Sequence, residues 1–239
     1  MISVFKTPLK TYELEVDRFV CNKFGIAEFF AKCFCAVDLG DGNTVLDVGC
    51  GVGPLSIFLA DQFKSKVKGV EINGDACRCF RKNIERLGMS DRVTLEDGDF
   101  SKKGWEHSNV KFDLIVSNPP LDENVSDEII KKYHNCSYEH PNSSEFMYVT
   151  NSWHDEEGND LLDYIFIFGK ALLKENGRIA ISCCSIDGAS DKTISNCGAK
   201  HGFSVSRLVV GTITTKSIGA NRCGYSTVNA YYVVLQREG

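Results

Sequence analysis

The chain has 239 residues and a net charge of −5, enough for one well-cored domain with a short extension and too little for two full domains of ordinary size. Its 43% hydrophobic and 25% charged content is that of a globular protein, and the acidic balance excludes a whole-surface attraction to nucleic acid, although a local basic patch remains open. There is no internal repeat and no run approaching ~18 apolar residues, which excludes a solenoid and a membrane-spanning helix.

Residues 1–43 precede the first core strand. Met1 to Lys6 has neither a long apolar core nor a small-residue cleavage site, so no secretory leader is expected. Ile26, Phe29, Phe30, Cys33 and Phe34 recur at helical spacing, which predicts an N-terminal helical extension over 1–43 ahead of a domain over 44–239. Thr44 to Gly49 reads as a buried strand, and 54–63 as a helix with Pro54 at the position helices tolerate best. Val67 to Ile72 is a second strand. Cys77, Phe80, Ile84 and Leu87 then share one helix face, which Gly88 can cap. Val93 to Leu95 and Phe112 to Val116 are the third and fourth strands. A polar stretch from Leu121 to Gly158 interrupts the rhythm. It resumes with a helix carrying Leu161, Leu162, Ile165, Phe166, Phe168, Ala171 and Leu172, a fifth strand from Gly177 to Cys184, a helix near 190–200 and strands near 203–210 and 228–236. This alternation predicts an α/β fold, a parallel sheet flanked by helices on both faces and ending in an antiparallel C-terminal strand.

The eleven cysteines are odd in number and contain C-x-C pairs but no C-x-x-C. Reduced thiols, a cytoplasmic location and no metal site are expected.

Asp47-Val48-Gly49-Cys50-Gly51-Val52-Gly53 lies between a strand and a helix. Glycines there let the backbone turn sharply and let a ligand approach, and the following helix offers free N–H groups to an anion. Glu71 ends the second strand 20 residues after Gly51, where a carboxylate can accept bonds from ribose hydroxyls. A nicotinamide site would want G-x-G-x-x-G, whose last glycine would fall at Pro54. The pattern present, G-x-G-x-G preceded by Asp47, resembles motif I of class I methyltransferases. That resemblance implies S-adenosyl-L-methionine as cofactor and a Rossmann-like sheet, with Gly49, Gly51 and Gly53 packed on the methionine part and Glu71 on the ribose. It further implies that Asp99 bonds the adenine amino group, with Asp97 as the alternative, and that Phe100 covers the ring.

Asn118-Pro119-Pro120 ends a buried strand. The prolines have fixed φ and no N–H, and Pro119 pushes Asn118 to an extended conformation. The product is a rigid ledge offering the Asn118 side-chain oxygen and the Pro119 carbonyl. Two such acceptors can hold both N–H bonds of an amino or amide group, aim its nitrogen, and stabilise the positive charge it develops. The stretch resembles the Asn-Pro-Pro-(Tyr/Phe/Trp) motif of methyltransferases acting on adenine N6, guanine N2 or the glutamine amide. Leu121 departs from it, which weakens the argument for stacking on a flipped base. The likeness covers roughly 25–185 and is nearest to the methyltransferase small domain group, which includes ribosomal RNA guanine-N2 and release-factor glutamine enzymes. It implies a catalytic ledge of Asn118, Pro119 and Pro120, with Asn118 also bordering the cofactor, and hence N-methylation of a protein or RNA.

Between those substrates the charges pull in opposite directions. Residues 122–157 hold nine acids and two bases, which repel a phosphate backbone. From Asp187 onward there are six bases and three acids, including Lys216 and Arg222 in the last inter-strand loop. A small-molecule N-methyltransferase and a noncatalytic cofactor-binding subunit are the other readings. No membrane or DNA partner is expected.

Overall fold

The computed structural model describes residues 1–17, 24–35, 41–102, 104–105, 108–119, 159–185, 190–216 and 225–238. Seven strands form one sheet. They are β3 (Thr44–Val48), β4 (Lys66–Glu71), β5 (Val93–Asp97), β6 (Phe112–Ser117), β7 (Leu173–Ser185), β8 (Phe203–Lys216) and β9 (Tyr225–Arg237), in the order β5-β4-β3-β6-β7-β9-β8. The first five run parallel, and β9 is antiparallel to both β7 and β8. The predicted sheet with its antiparallel end is therefore present.

β3 and β6 lie at the centre and are covered on both faces, which is why they read as nearly continuous apolar runs. Side chains alternate between two cores. Val45, Val67, Leu114, Val116, Ala180 and Tyr232 face α1 (Gly25–Cys35), α2 (Pro54–Gln62) and α3 (Gly74–Arg86). Leu46, Val48, Val70, Ile115, Ile179, Ile181 and Val233 face α4 (Leu161–Leu172) and α5 (Ser190–Lys200). The helices thus sit on both faces.

Two local features depart from the expected pattern. Residues 1–43 contain the predicted helix, α1, but also a hairpin: β1 (Ile2–Lys6) pairs antiparallel with β2 (Thr11–Glu15). Phe5, Tyr12 and Leu14 are buried and join the same core as α1 and α2. Each strand is only five residues long, too short for its alternation to stand out from a helical count. β7 starts at Leu173 rather than Gly177. A register shift carries its pairing from Phe112↔Leu173 to Leu114↔Arg178, so the turn-like Lys174 to Gly177 lies inside the strand.

At the bottom of α4, Asp160 and Asp163 form a capping box. Asp163 Oδ1 also receives Lys200 Nζ at 2.9 Å, His201 Nε2 at 2.7 Å and Cys197 Sγ at 3.4 Å. The carboxylate already has a cation beside it, and the cluster docks the end of α5 onto the start of α4.

Candidate active site

The chain leaves β3 for β4 and β5 on one side and then crosses to β6 on the other. In open α/β sheets, ligands bind at such a switch of direction, here beyond the carboxyl ends of β3 and β6. Val48 is in register with both Val70 of β4 and Ser117 of β6. Gly49 and Asn118 each follow these paired residues directly, so the glycine turn and the Asn-Pro ledge emerge side by side.

The turn is anchored on β4, with the N–H groups of Gly49 and Cys50 both donating to the Val70 carbonyl, at 2.9 and 3.1 Å. Gly49, Gly51 and Gly53 have φ of 69°, 58° and 92°, which L side chains rarely adopt. Their surroundings divide them. A Cβ on Gly49 or Gly51 would meet nothing within 4 Å, whereas one on Gly53 would strike the Phe80 ring at 2.7 Å. The first two face open space and leave room for a ligand, and the third lets the turn close on α3. Gly53 caps α2 without a side chain, and Pro54 follows it. Pro54 brings no N–H and the Ser56 N–H turns to the Asp47 carboxylate, which leaves the Leu55 N–H at the start of that helix for an anionic group.

Glu71 is buried. Its Oε2 accepts the Gly51 N–H and its Oε1 the Asn73 N–H, each at 2.8 Å. These bonds fix the carboxylate plane beside the turn and leave lone pairs free for a diol. Burial raises its carboxyl above the ordinary carboxylate value, and backbone N–H groups of Asn73, Gly51 and Ile72 restrain the rise. Asp47 lies beneath the turn, 1% exposed. Its Oδ2 accepts Ser56 Oγ at 2.6 Å, which ties β3 to the first turn of α2. Burial pushes its carboxyl up to about 7, against the opposing pull of Ser56 and with a smaller contribution from the Glu71 charge.

Beyond β5, Asp99 Oδ1 accepts the Ser101 N–H at 2.9 Å and Ser101 Oγ at 2.8 Å, capping the short helical turn Phe100–Lys102. Asp97 instead pairs with Arg81. Phe100 is buried, with its ring 5.6 Å from Trp105 and 5.4 Å from Phe168 between centroids, so most of its surface is committed to the core. Asn118 is half-buried and Pro119 buried. Asn118 Oδ1 lies 3.5 Å from Ser182 Oγ of β7, a long contact that leaves the oxygen able to accept elsewhere. Ser117 Oγ donates to the Val48 carbonyl at 2.8 Å and locks β6 to β3 under the ledge. Pro120, Leu121 and the acidic stretch 122–157 lie outside the described residues.

Gly49, Gly51, Glu71 and Asn118 are thus gathered at one end of the sheet, with Asp47 buried beneath the turn and Asp97 and Asp99 on the β5 side. Sequence reasoning missed Ser56, Asn73, Ser117 and Ser182. Only Ser182 carries a signal, as a polar residue within the apolar run Ile179 to Cys184. The arrangement can receive an anionic group at the α2 N-terminus, a diol at Glu71 and an N–H at Asn118. These are the recognition needs of S-adenosyl-L-methionine and of a nitrogen brought against it, and the residues present fit that cofactor.

The methyltransferase small domain family model matches residues 27–157. The tRNA1(Val) (adenine(37)-N6)-methyltransferase of Porphyromonas gingivalis is 41% identical over 79 residues, covering 32% of this chain and 31% of that protein. The release factor glutamine methyltransferase of Clostridium acetobutylicum is 32% identical over 168 residues, covering 70% of this chain and 54% of that protein. The chain therefore spans about a third to about half the length of these relatives. Among solved structures, precorrin-6y C5,15-methyltransferase from Geobacter metallireducens has a TM-score of 0.60 at 13% identity, covering 94% of this chain and 93% of that one. M. jannaschii TYW2 in complex with AdoMet has a TM-score of 0.54 at 16% identity, covering 99% and 87%. Both share the fold. The family match takes in more than half of the chain, including β3, the glycine turn, Glu71 and Asn118-Pro119, and this protein belongs to the methyltransferase small domain family.

Proposed function

We propose that this chain is an S-adenosyl-L-methionine-dependent N-methyltransferase acting on a conjugated NH2 group, an amide or an exocyclic amine, of a protein or RNA. The observation that carries this reading is the register of Val48 with Ser117, which sets the glycine turn and the Asn118-Pro119 ledge next to each other. When bound, the cofactor supplies a methyl carbon activated by a sulfonium. Everything else falls to the chain. Glu71 holds the ribose, Gly49 and Gly51 admit the methionine part, and Asp99 or Asp97 lies toward the adenine. The Asn118 side-chain oxygen and the Pro119 carbonyl accept the two N–H bonds of the substrate. Held that way, the nitrogen loses conjugation, its lone pair turns toward the methyl group, and the forming positive charge meets two oxygens. A strong base is not needed, because a methylated amide or aminopurine nitrogen readily sheds its proton.

The curated relatives are named for both adenine and glutamine substrates. The acidity of 122–157 favours a protein amide, and the basic C-terminal segment favours RNA. Among the described residues no helix is long and apolar enough to cross a membrane, and the work we assign is cytoplasmic. The test is to incubate the protein with methyl-labelled S-adenosyl-L-methionine and cell extract, with and without ribonuclease, and hydrolyse the product. N-methyladenine or N-methylguanine lost on ribonuclease treatment assigns RNA. N5-methylglutamine in a protein band assigns a protein. Label on carbon or oxygen contradicts the reading.

A further inference from the structure

Asn83 of α3 is fully buried, and its amide does two jobs. Its Oδ1 accepts the Glu15 N–H at 2.6 Å, and its Nδ2 donates to the Glu15 carbonyl at 3.0 Å. The same Nδ2 donates to the Val52 carbonyl at 3.1 Å. Val52 lies inside the glycine turn, next to the Gly51 whose N–H holds Glu71.

The geometry of the hairpin explains why Glu15 is available. Met1 and Val16 exchange both backbone bonds, each 2.8 Å. In an antiparallel ladder the next pair, Ile2↔Glu15, is a non-hydrogen-bonded one, so the Glu15 N–H and C=O point away from β1. Asn83 takes the place of the missing strand there. Lys82 Nζ reaches the Glu15 carboxylate at 2.7 Å and Arg86 the Glu13 carbonyl, but neither touches the turn. Asn83 alone among these residues links the hairpin to the turn.

We infer that Asn83 is a positioning residue for the cofactor turn, and that the β1–β2 hairpin belongs through it to the cofactor-binding machinery. The inference rests on the reading of the turn as the cofactor cradle. Without the Asn83 donor the buried Val52 carbonyl has lost its partner. The turn then relaxes toward water and carries Gly51 N–H away from Glu71. The ledge at Asn118 stands on β6 and does not move, so cofactor binding suffers while the chemical step does not.

Asn83→Asp keeps an acceptor for the Glu15 N–H and removes both donors. In the full chain it is expected to raise KM for S-adenosyl-L-methionine about tenfold or more, with kcat within about twofold of wild type. Lys82→Ala loosens the hairpin without touching the turn and should leave KM unchanged. In the wild type, saturating S-adenosylhomocysteine should slow hydrogen exchange at Glu13 to Val16, a readout that does not depend on any variant folding. An unchanged KM in a folded Asn83→Asp protein, or an equal rise in Lys82→Ala, overturns the inference. So does hairpin exchange indifferent to S-adenosylhomocysteine when calorimetry shows that it binds. Wild type that binds neither compound overturns the cofactor reading itself, and the inference falls with it.

Discussion

Individual residues beside the glycine turn divide into those we propose to touch the cofactor and those that hold the turn, and the two kinds should fail differently. Glu71→Ala removes the diol acceptor and should weaken S-adenosyl-L-methionine about tenfold to a hundredfold in calorimetry, as expected for losing charge-assisted bonds. Unchanged affinity would put the ribose elsewhere. Gly53→Ala should act on stability, because its Cβ meets Phe80 at 2.7 Å and its φ is 92°. A loss of about 2 kcal/mol or more is expected in denaturant unfolding, while Gly49→Ala, which meets nothing, should lose about 1 kcal/mol from its backbone alone. Equal losses would contradict the division of the glycines. Asp47 gives a pH signature. Its carboxyl is pushed up to about 7 by burial from about 3.9 in the unfolded chain. A raised folded value means that ionisation penalises the fold, so this group's contribution is complete below about pH 4 and is lost as pH rises through about 7. Asp47→Asn keeps an acceptor for Ser56 and should remove that slope, leaving the cofactor-free variant more stable than wild type at pH 8. Parallel melting curves for the two proteins from pH 4 to 8 would refute the assignment.

At the scale of elements, the docking of α5 on α4 depends on Asp163. Burial alone would raise its carboxyl, but the bonds from His201 and Lys200 outweigh this and hold it at about 2. A depressed folded value stabilises the fold above the unfolded value. Roughly 2 kcal/mol should therefore be present above about pH 4 and lost as pH falls toward 2. Asp163→Asn should lack this acid-sensitive component in urea unfolding at pH 2.5 and pH 6, and an identical loss in both proteins would show that the pair is not linked to stability. What the sequence reveals of these elements follows from how each is stabilised. β3 and β6 were legible because strands covered on two faces become short apolar runs, and α3 because Cys77, Phe80 and Ile84 keep one stripe. The β1–β2 hairpin was not, since Phe5, Tyr12 and Leu14 find their core only through contact with distant helices. β7 hid its first residues because Lys174 to Gly177 has the composition of a turn, and pairing with Phe112 overrides it. In the site, Asp47, Glu71 and Asn118 were legible from spacing along a strand–turn–helix. Ser56 and Asn83 were not, because their roles are tertiary. Asn83 meets Glu15 across 68 residues of chain, and no local pattern encodes that meeting.

At the scale of the whole molecule, one topological feature organises the function. The chain passes from β3 outward to β5 and returns to β6, so the turn after one central strand and the ledge after its neighbour lie side by side at the switch. The residues we assign to the cofactor follow β3, β4 and β5, and those we assign to the substrate nitrogen follow β6, braced by β7. Cofactor binding and transfer therefore rest on different strands and should be separable. The most direct test is single-turnover transfer of a labelled methyl group into cell extract by wild type and by Asn118→Ala, each pre-saturated with S-adenosyl-L-methionine as verified by calorimetry. Matching cofactor affinity is expected, with a transfer rate at least about a hundredfold lower in the variant. Transfer by Asn118→Ala at the wild-type rate would contradict this expectation, because the ledge beside the glycine turn would then play no part in the chemistry.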